Sequence, residues 1–130
     1  MGIEIERKFL VVNDTWRAFA DKGELYGQGY LLEDSHHLLR VRTAADKGYL
    51  TVKGSGQLSR AEFEYEIPVQ DAKDLLARCT RSVSKTRYRY RSEGHIWEID
   101  VFHGANAGLV TAEIELTSEE EKFSIPDWLG

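Results

Sequence analysis

The segment Ala61-Glu-Phe-Glu-Tyr-Glu-Ile67 alternates apolar and acidic residues at every position. Successive side chains of a β-strand point to opposite faces, so the segment predicts a strand with one apolar face and one carboxylate face. Pro68 follows directly and marks the boundary of the element.

The same two-residue period recurs along the rest of the chain. Seven more segments carry it, at residues 3–9, 27–33, 39–42, 50–53, 85–91, 97–101 and 112–116. Tight links such as Lys53-Gly-Ser-Gly56 and Ser92-Glu-Gly94 favour antiparallel neighbours over parallel crossovers. We therefore predict a mainly β fold of the α+β class, an antiparallel arrangement of about eight strands.

Three short helices are predicted beside the strands. Asn13 or Asp14 can cap the first, which Gly23 ends. In the second, at residues 71–79, the apolar residues follow the spacing of an amphipathic helix. The third, at residues 118–123, opens with the Ser-x-x-Glu pattern of a capping box.

Length and charge limit the classes of protein. The 130 residues fit a single domain over residues 1–130, and 17 Lys and Arg against 22 Asp and Glu disfavour a protein that coats duplex nucleic acid. The chain has no run of about 18 apolar residues and a charged N-terminus, so we expect no membrane span, no secretory signal and a cytoplasmic location. A single cysteine, Cys79, excludes an internal disulfide and a multi-thiolate zinc site.

The charges on the predicted strands are sorted by sign. Strands 61–67, 97–101 and 112–116 carry only carboxylates on their polar face, whereas strands 39–42 and 85–91 carry only cations. Like charges two residues apart lie roughly 6 to 7 Å from each other, which costs stability unless a ligand of opposite sign lies between them. A metal–polyphosphate complex needs both carboxylates and basic groups. Strands that curl with their charged faces inward would enclose a polar tunnel with apolar faces outside.

Two other interpretations fit this alternation. A solvated, salt-bridged sheet face would show a similar period. Tyr88 and Tyr90, among the cations of residues 85–91, could suggest a strand that stacks on nucleic-acid bases. Their parity places them on the opposite face from those cations, so one surface could not use both.

The first predicted strand, Ile3-Glu-Ile-Glu-Arg-Lys-Phe-Leu10, resembles the Glu-x-Glu-x-Lys signature of the CYTH domain, the triphosphate tunnel metalloenzyme superfamily. Further motifs of this family follow in order over nearly the whole chain. The resemblance is closest to the short bacterial members, many of which hydrolyse inorganic tripolyphosphate. The motifs are Gln28-Gly-Tyr-Leu31, Leu39-Arg-Val-Arg42, Thr51-Val-Lys53, Leu58-Ser-Arg-Ala-Glu-Phe-Glu64, Lys85-Thr-Arg-Tyr88, Trp97-Glu-Ile-Asp-Val-Phe102 and Ala112-Glu-Ile-Glu-Leu116.

The resemblance implies an eight-stranded antiparallel tunnel with a charged interior and a few flanking helices. It also implies that Lys8 and Tyr30 are catalytic residues that assist the attacking water. The expected triphosphate-binding residues are Lys8, Arg40, Arg42, Lys53, Arg60, Lys85 and Arg87. The expected ligands of Mg2+ or Mn2+ are Glu4, Glu6, Glu62, Glu64, Asp100, Glu113 and Glu115. Weaker candidates that share strand parity are Glu66, Glu98, Arg89 and Arg91.

The implied activity is metal-dependent hydrolysis of tripolyphosphate or a related small-molecule triphosphate. Class IV adenylyl cyclases and thiamine triphosphatases share the fold and remain alternatives, as does a non-catalytic polyphosphate-binding module. We expect neither duplex nucleic acid nor a membrane as a partner, and a homodimer is left open. Family members usually continue beyond Pro126-Asp-Trp-Leu-Gly130 into a further segment, whose absence would affect turnover more than binding.

Overall fold

The computed structural model describes residues 3–55 and 59–130, which form a closed antiparallel β-barrel of eight strands. The order around the barrel is β1, β5, β4, β3, β2, β6, β7, β8, and β8 pairs back to β1. The strands are β1 (Ile3–Leu10), β2 (Glu24–Glu33), β3 (His37–Ala44), β4 (Lys47–Gly54), β5 (Ser59–Ile67), β6 (Arg81–Ser92), β7 (His95–Phe102) and β8 (Val110–Glu115). The predicted fold class and strand number are confirmed.

A tight turn joins β6 to β7. Glu93 and Gly94 have φ angles of 50° and 80°, the positive values that a two-residue hairpin turn of this kind requires. The link predicted at residues 92–94 is therefore confirmed. The other predicted link, at residues 53–56, includes Gly56, which lies outside the described residues.

The main hydrophobic core lies outside the barrel. Strands β6, β7 and β8 pack apolar side chains against the 3-10 helix Thr15–Phe19 and the C-terminal segment. The ring centroid of Trp16 lies 5.1 Å from that of Tyr88, and those of Trp97 and Trp128 lie 5.6 Å apart. Tyr88 thus faces away from the barrel interior, as its parity predicts. The first predicted helix is present as this 3-10 helix, but it ends at Phe19 rather than near Gly23.

The helix α1 (Val69–Leu76) covers the outer face of β2, β3 and β4. Its buried Ala72 packs closely against β4, where a Cβ at Gly48 would lie 2.6 Å from the Ala72 Cβ. The helix predicted at residues 71–79 is thus present, although it begins directly after Pro68 and ends at Leu76. Within residues 3–55 and 59–130, no helix is both long and apolar enough to cross a membrane.

The helix predicted at residues 118–123 is wrong. The segment forms a turn in which the N–H of Glu121 donates to the Ser118 carbonyl at 3.3 Å. The Glu121 carboxylate accepts hydrogen bonds from the backbone N–H and the hydroxyl of Thr117 and contacts the Nε2 atom of His95 at 2.7 Å. Because its oxygens are engaged there, Glu121 does not complete the capping box that the sequence pattern suggests.

Candidate active site

The barrel encloses a cavity of about 400 Å³ lined mainly by charged side chains. These side chains point inward because they occupy alternate positions of their strands. All the candidate residues except Asp100 line the cavity, namely Glu4, Glu6, Lys8, Tyr30, Arg40, Arg42, Lys53, Arg60, Glu62, Glu64, Lys85, Arg87, Glu113 and Glu115.

Asp100 lies behind the cavity wall and holds two of the cations in place. Its carboxylate accepts hydrogen bonds from Lys85 Nζ at 2.7 Å and from Arg87 Nε and Nη2 at 2.8 and 2.9 Å. Burial opposes its ionisation, but the hydrogen bonds and charge of Arg87 hold the pKa of Asp100 below its ordinary value. Burial also lowers the pKa of Lys85. This arrangement fits a role in orienting Lys85 and Arg87 better than the metal-ligand role predicted for Asp100.

A second charged cluster lies on β1, β4 and β5. Lys53 Nζ lies 3.0 Å from Glu4 Oε1 and 3.3 Å from Glu62 Oε2, and Arg60 hydrogen-bonds to both Glu4 and Glu6. Burial disfavours the charge of Glu4, but Lys53 and Arg60 hold its pKa below the ordinary value. Burial and the charge of Glu4 raise the pKa of Glu62. Three carboxylates thus share two cations in this cluster.

Glu6 and Glu113 share a proton across β1 and β8. Burial, followed by the hydrogen bond with Glu113 and the charge of that residue, raises the pKa of Glu6 to about 8. Burial disfavours the charge of Glu113 too, but the hydrogen bond from Glu6 and the charges of Lys8 and Arg87 hold its pKa below the ordinary value. Burial and the charges of neighbouring glutamates raise the pKa of Glu115. At neutral pH the Glu6–Glu113 pair therefore holds a proton, which neutralises one of its two carboxylates. A bound cation would offset the same negative charge.

These glutamates have the donor chemistry that Mg2+ or Mn2+ prefers, because hard divalent cations bind carboxylate oxygens. Burial and, after it, contact with neighbouring carboxylates raise the pKa of Glu6, and a divalent cation would relieve the repulsion between these carboxylates. Lys53 and Arg60 form hydrogen bonds with Glu4. In the part of the chain that the structure describes, no three acidic, histidine or cysteine side chains lie close enough together to hold a metal by themselves. The residues fit a metal whose remaining ligands are water or phosphate oxygens.

Two arginines on β3 form the part of the wall best suited to an anion. Arg42 donates to Glu64 at 2.9 Å, and its guanidinium lies 5.2 and 5.3 Å from the ring centroids of Tyr26 and Tyr49. Burial and the charge of Arg42 lower the pKa of Arg40. The Nε atoms of both arginines are buried without a hydrogen-bond partner. A buried unpaired donor costs about 1–3 kcal/mol, and a phosphate oxygen would remove that cost.

The two candidates for assisting the attacking water differ in how firmly they are held. Lys8 Nζ lies 3.7 Å from Glu113 Oε1, and the Lys8 side chain is 59% exposed. Tyr30 accepts a hydrogen bond from Gln28 Nε2 at 3.0 Å, and the guanidinium of Arg81 lies 4.5 Å from its ring centroid. Tyr30 is therefore fixed in the wall, whereas Lys8 can move toward a bound ligand.

The family model of the CYTH domain matches residues 2–130. The chain belongs to the CYTH domain family. An inorganic triphosphatase of Acetivibrio thermocellus is 51% identical over 133 residues, which cover 100% of this chain and 85% of that protein. An inorganic triphosphatase of Nitrosomonas europaea is 39% identical over 98% of this chain and 86% of its own length. A crystal structure of an inorganic triphosphatase matches with a TM-score of 0.66 at 34% identity and covers 98% of this chain and 83% of that chain.

In this CYTH domain, sequence reasoning missed two wall residues, Gln28 and Leu38, and ranked Glu98 too low. Gln28 and Leu38 line the cavity although the predicted site residues were all charged apart from Tyr30, and Glu98 lines it although it was a weaker candidate. Gln28 shares the inward parity of Tyr30 on β2, so parity alone would have found it. The other weaker candidates lie outside the wall of this cavity, namely Glu66, Arg89 and Arg91.

Proposed function

We propose that this CYTH protein is a metal-dependent triphosphatase that hydrolyses inorganic tripolyphosphate. One observation carries the proposal: a single cavity combines buried arginine Nε donors that lack an acceptor with crowded carboxylates, one of which, Glu6, has its pKa raised to about 8 by burial and by contact with Glu113. Arg40 and Arg42 supply the first set, and Glu6 and Glu113 belong to the second. A metal–tripolyphosphate complex satisfies both sets at once. The two inorganic triphosphatase relatives support the same assignment.

The basic side chains bind the triphosphate and neutralise the charge of its oxygens. Arg40 and Arg42 offer their unpaired Nε atoms from β3, and Asp100 holds Lys85 and Arg87 in position from behind the wall. The remaining clamp residues we propose are Lys8, Lys53 and Arg60. The proposed ligands of Mg2+ or Mn2+ are Glu4, Glu6, Glu62, Glu64, Glu113 and Glu115.

Hydrolysis is an in-line attack of water on the terminal phosphorus. The new P–O bond forms as the bridging P–O bond breaks, so the products are phosphate and diphosphate. A divalent metal held by the glutamates would, when bound, neutralise charge on the phosphoryl oxygens. Arg40 and Arg42 stabilise the charge that develops on the non-bridging oxygens, because their donors are already oriented. Lys8, which can move toward the ligand, and Tyr30, which is fixed in the wall, are the residues we propose to assist the attacking water.

The substrate is tested by measuring phosphate release from tripolyphosphate, ATP and thiamine triphosphate side by side, with Mg2+ or Mn2+, together with an assay for cyclic AMP. We expect the highest kcat/KM for tripolyphosphate. A preference for either organic triphosphate, or formation of cyclic AMP, would overturn the substrate assignment. Tight calorimetric binding of tripolyphosphate without phosphate release would favour a non-catalytic polyphosphate-binding module.

The anion-binding wall is tested by Arg40→Ala. Loss of a charged hydrogen-bond donor costs about 1.5–3 kcal/mol, so we expect KM for tripolyphosphate to rise about 10-fold to 100-fold. The matched control is Arg78→Ala, because Arg78 is exposed beyond the end of α1. An Arg40→Ala variant with an unchanged KM would remove Arg40 from the binding site.

A further inference from the structure

Gln28 is the only uncharged amide that lines the cavity in the described part of the chain. It is 5% exposed, and its Nε2 donates to the Tyr30 hydroxyl oxygen at 3.0 Å. Its Oε1 atom is buried and accepts no hydrogen bond. A buried acceptor without a hydrogen bond costs about 1–3 kcal/mol of stability, so the site favours a ligand that donates a hydrogen bond to it.

The neighbours of Gln28 make this acceptor unusual. Gln28 lies directly opposite Arg42 in the β2–β3 pair, and Tyr30 lies opposite Arg40. The unpaired Nε atoms of the two arginines require an acceptor, such as a phosphate oxygen, whereas Gln28 Oε1 requires a donor. The oxygens of a fully ionised triphosphate have no proton to donate. A water molecule does, and water is the other reactant of the proposed hydrolysis.

We infer that Gln28 orients the attacking water through its Oε1 atom and that Tyr30 is a positioning residue that fixes the Gln28 amide. The inference rests on the proposed function and deepens it. An acceptor that holds one proton of the water turns an oxygen lone pair toward the terminal phosphorus. Because the amide carries no charge, it attracts a divalent cation less strongly than the ionised carboxylates around it.

The step balances without a proton on Gln28. The water oxygen forms a bond to the terminal phosphorus as the bridging P–O bond breaks, and the bonding electron pair leaves with diphosphate. One proton of the water stays on the new phosphate oxygen and remains hydrogen-bonded to Gln28. The other passes to a phosphate oxygen. Gln28 supplies orientation only, as a glutamine does for the attacking water in some nucleotide hydrolases.

The test compares Gln28→Met, which keeps the length of the side chain and removes the acceptor, with Gln28→Glu, which keeps an acceptor. For Gln28→Met we expect kcat on tripolyphosphate to fall about 10-fold or more, while KM and the calorimetric Kd for tripolyphosphate stay within about 3-fold. For Gln28→Glu we expect a kcat clearly above that of Gln28→Met, with a higher KM because of the added negative charge. The matched control, Gln70→Met, changes an exposed residue of α1 and should leave both constants unchanged.

The positioning role of Tyr30 has its own readout. Tyr30→Phe should lower kcat, and the double variant Gln28→Met/Tyr30→Phe should be no slower than Gln28→Met alone, because both changes remove one function. Additive losses would separate Tyr30 from Gln28. Melting temperatures of all variants are compared with wild type, so that a loss caused by unfolding is recognised.

The outcomes separate this inference from the proposed function. If the wild type releases phosphate from tripolyphosphate and Gln28→Met keeps its kcat, the inference is overturned and the proposed function stands. If Gln28→Met raises KM alone, the amide binds phosphate through its nitrogen and does not orient the water. A wild type that releases no phosphate from any triphosphate would overturn both.

Discussion

Replacing Asp100 with asparagine tests whether this carboxylate holds the cavity's cations or a metal. Asp100 is 1% exposed and accepts three hydrogen bonds from Lys85 and Arg87. Asparagine keeps the shape but removes the charge, and its NH₂ group would face donors of those two cations. Removing one side of a buried ion pair costs about 3–5 kcal/mol because the other side stays buried without its counter-charge. We expect Asp100→Asn to lose about that much free energy of unfolding.

Urea denaturation of the metal-free protein in EDTA, followed by circular dichroism, measures this loss. The matched control is Asp74→Asn on the exposed face of α1, which should change the free energy of unfolding by less than about 0.5 kcal/mol. The reasoning is refuted if the free energy of unfolding of Asp100→Asn lies within about 1 kcal/mol of the wild-type value while the variant requires more metal for activity. Asp100 would then be a metal ligand.

Two further predictions concern the Glu6–Glu113 pair and the contact of α1 with the barrel. Burial and contact with Glu113 raise the pKa of Glu6 from 4.5 to about 8, so the folded protein keeps a proton that the unfolded chain releases. In urea titrations of the metal-free protein, the free energy of unfolding should therefore fall as pH rises from about 4.5 to about 8 and level off above that, and Glu6→Gln should flatten this fall. Equal pH slopes in both proteins would contradict the shared proton. Gly48→Ala should lower the free energy of unfolding by about 1–3 kcal/mol, because the new Cβ would lie 2.6 Å from the Cβ of Ala72. In the control Gly54→Ala the nearest contact of the new Cβ is at 3.4 Å, so the melting temperature should fall far less. Equal melting temperatures for the two glycine variants would show that α1 moves away at little cost.

The strand parity of this chain could be predicted because a two-residue period fixes the face of every side chain. Glu113 and Arg87 lie inside the barrel, and Tyr88 lies outside it, as the alternation requires. The sorting of charges by strand indicated further that the polar faces belong to one enclosed space. These inferences depend on the backbone period alone, which the sequence displays directly.

Other features depend on contacts that no local pattern contains. Parity placed Asp100 on the inward face, but only the fold shows that Lys85 and Arg87 occupy its oxygens. The pattern at residues 118–123 indicated a helix because it does not contain the competing contact between Glu121 and His95, which are distant in sequence. Gln28 was missed for a different reason, since a search for charges passes over a neutral side chain.

The most direct test of the central claim follows tripolyphosphate by 31P NMR in the presence of the protein and Mg2+. Reactions with Mn2+ are stopped with excess EDTA before each spectrum, because bound paramagnetic Mn2+ broadens phosphorus signals. If the charged faces of the barrel form a metal-dependent triphosphatase, the tripolyphosphate signals disappear while phosphate and diphosphate appear in equal molar amounts. Excess EDTA should stop the conversion, and Arg40→Ala should slow it at low substrate concentration. Tripolyphosphate signals that persist unchanged with either metal would contradict the claim.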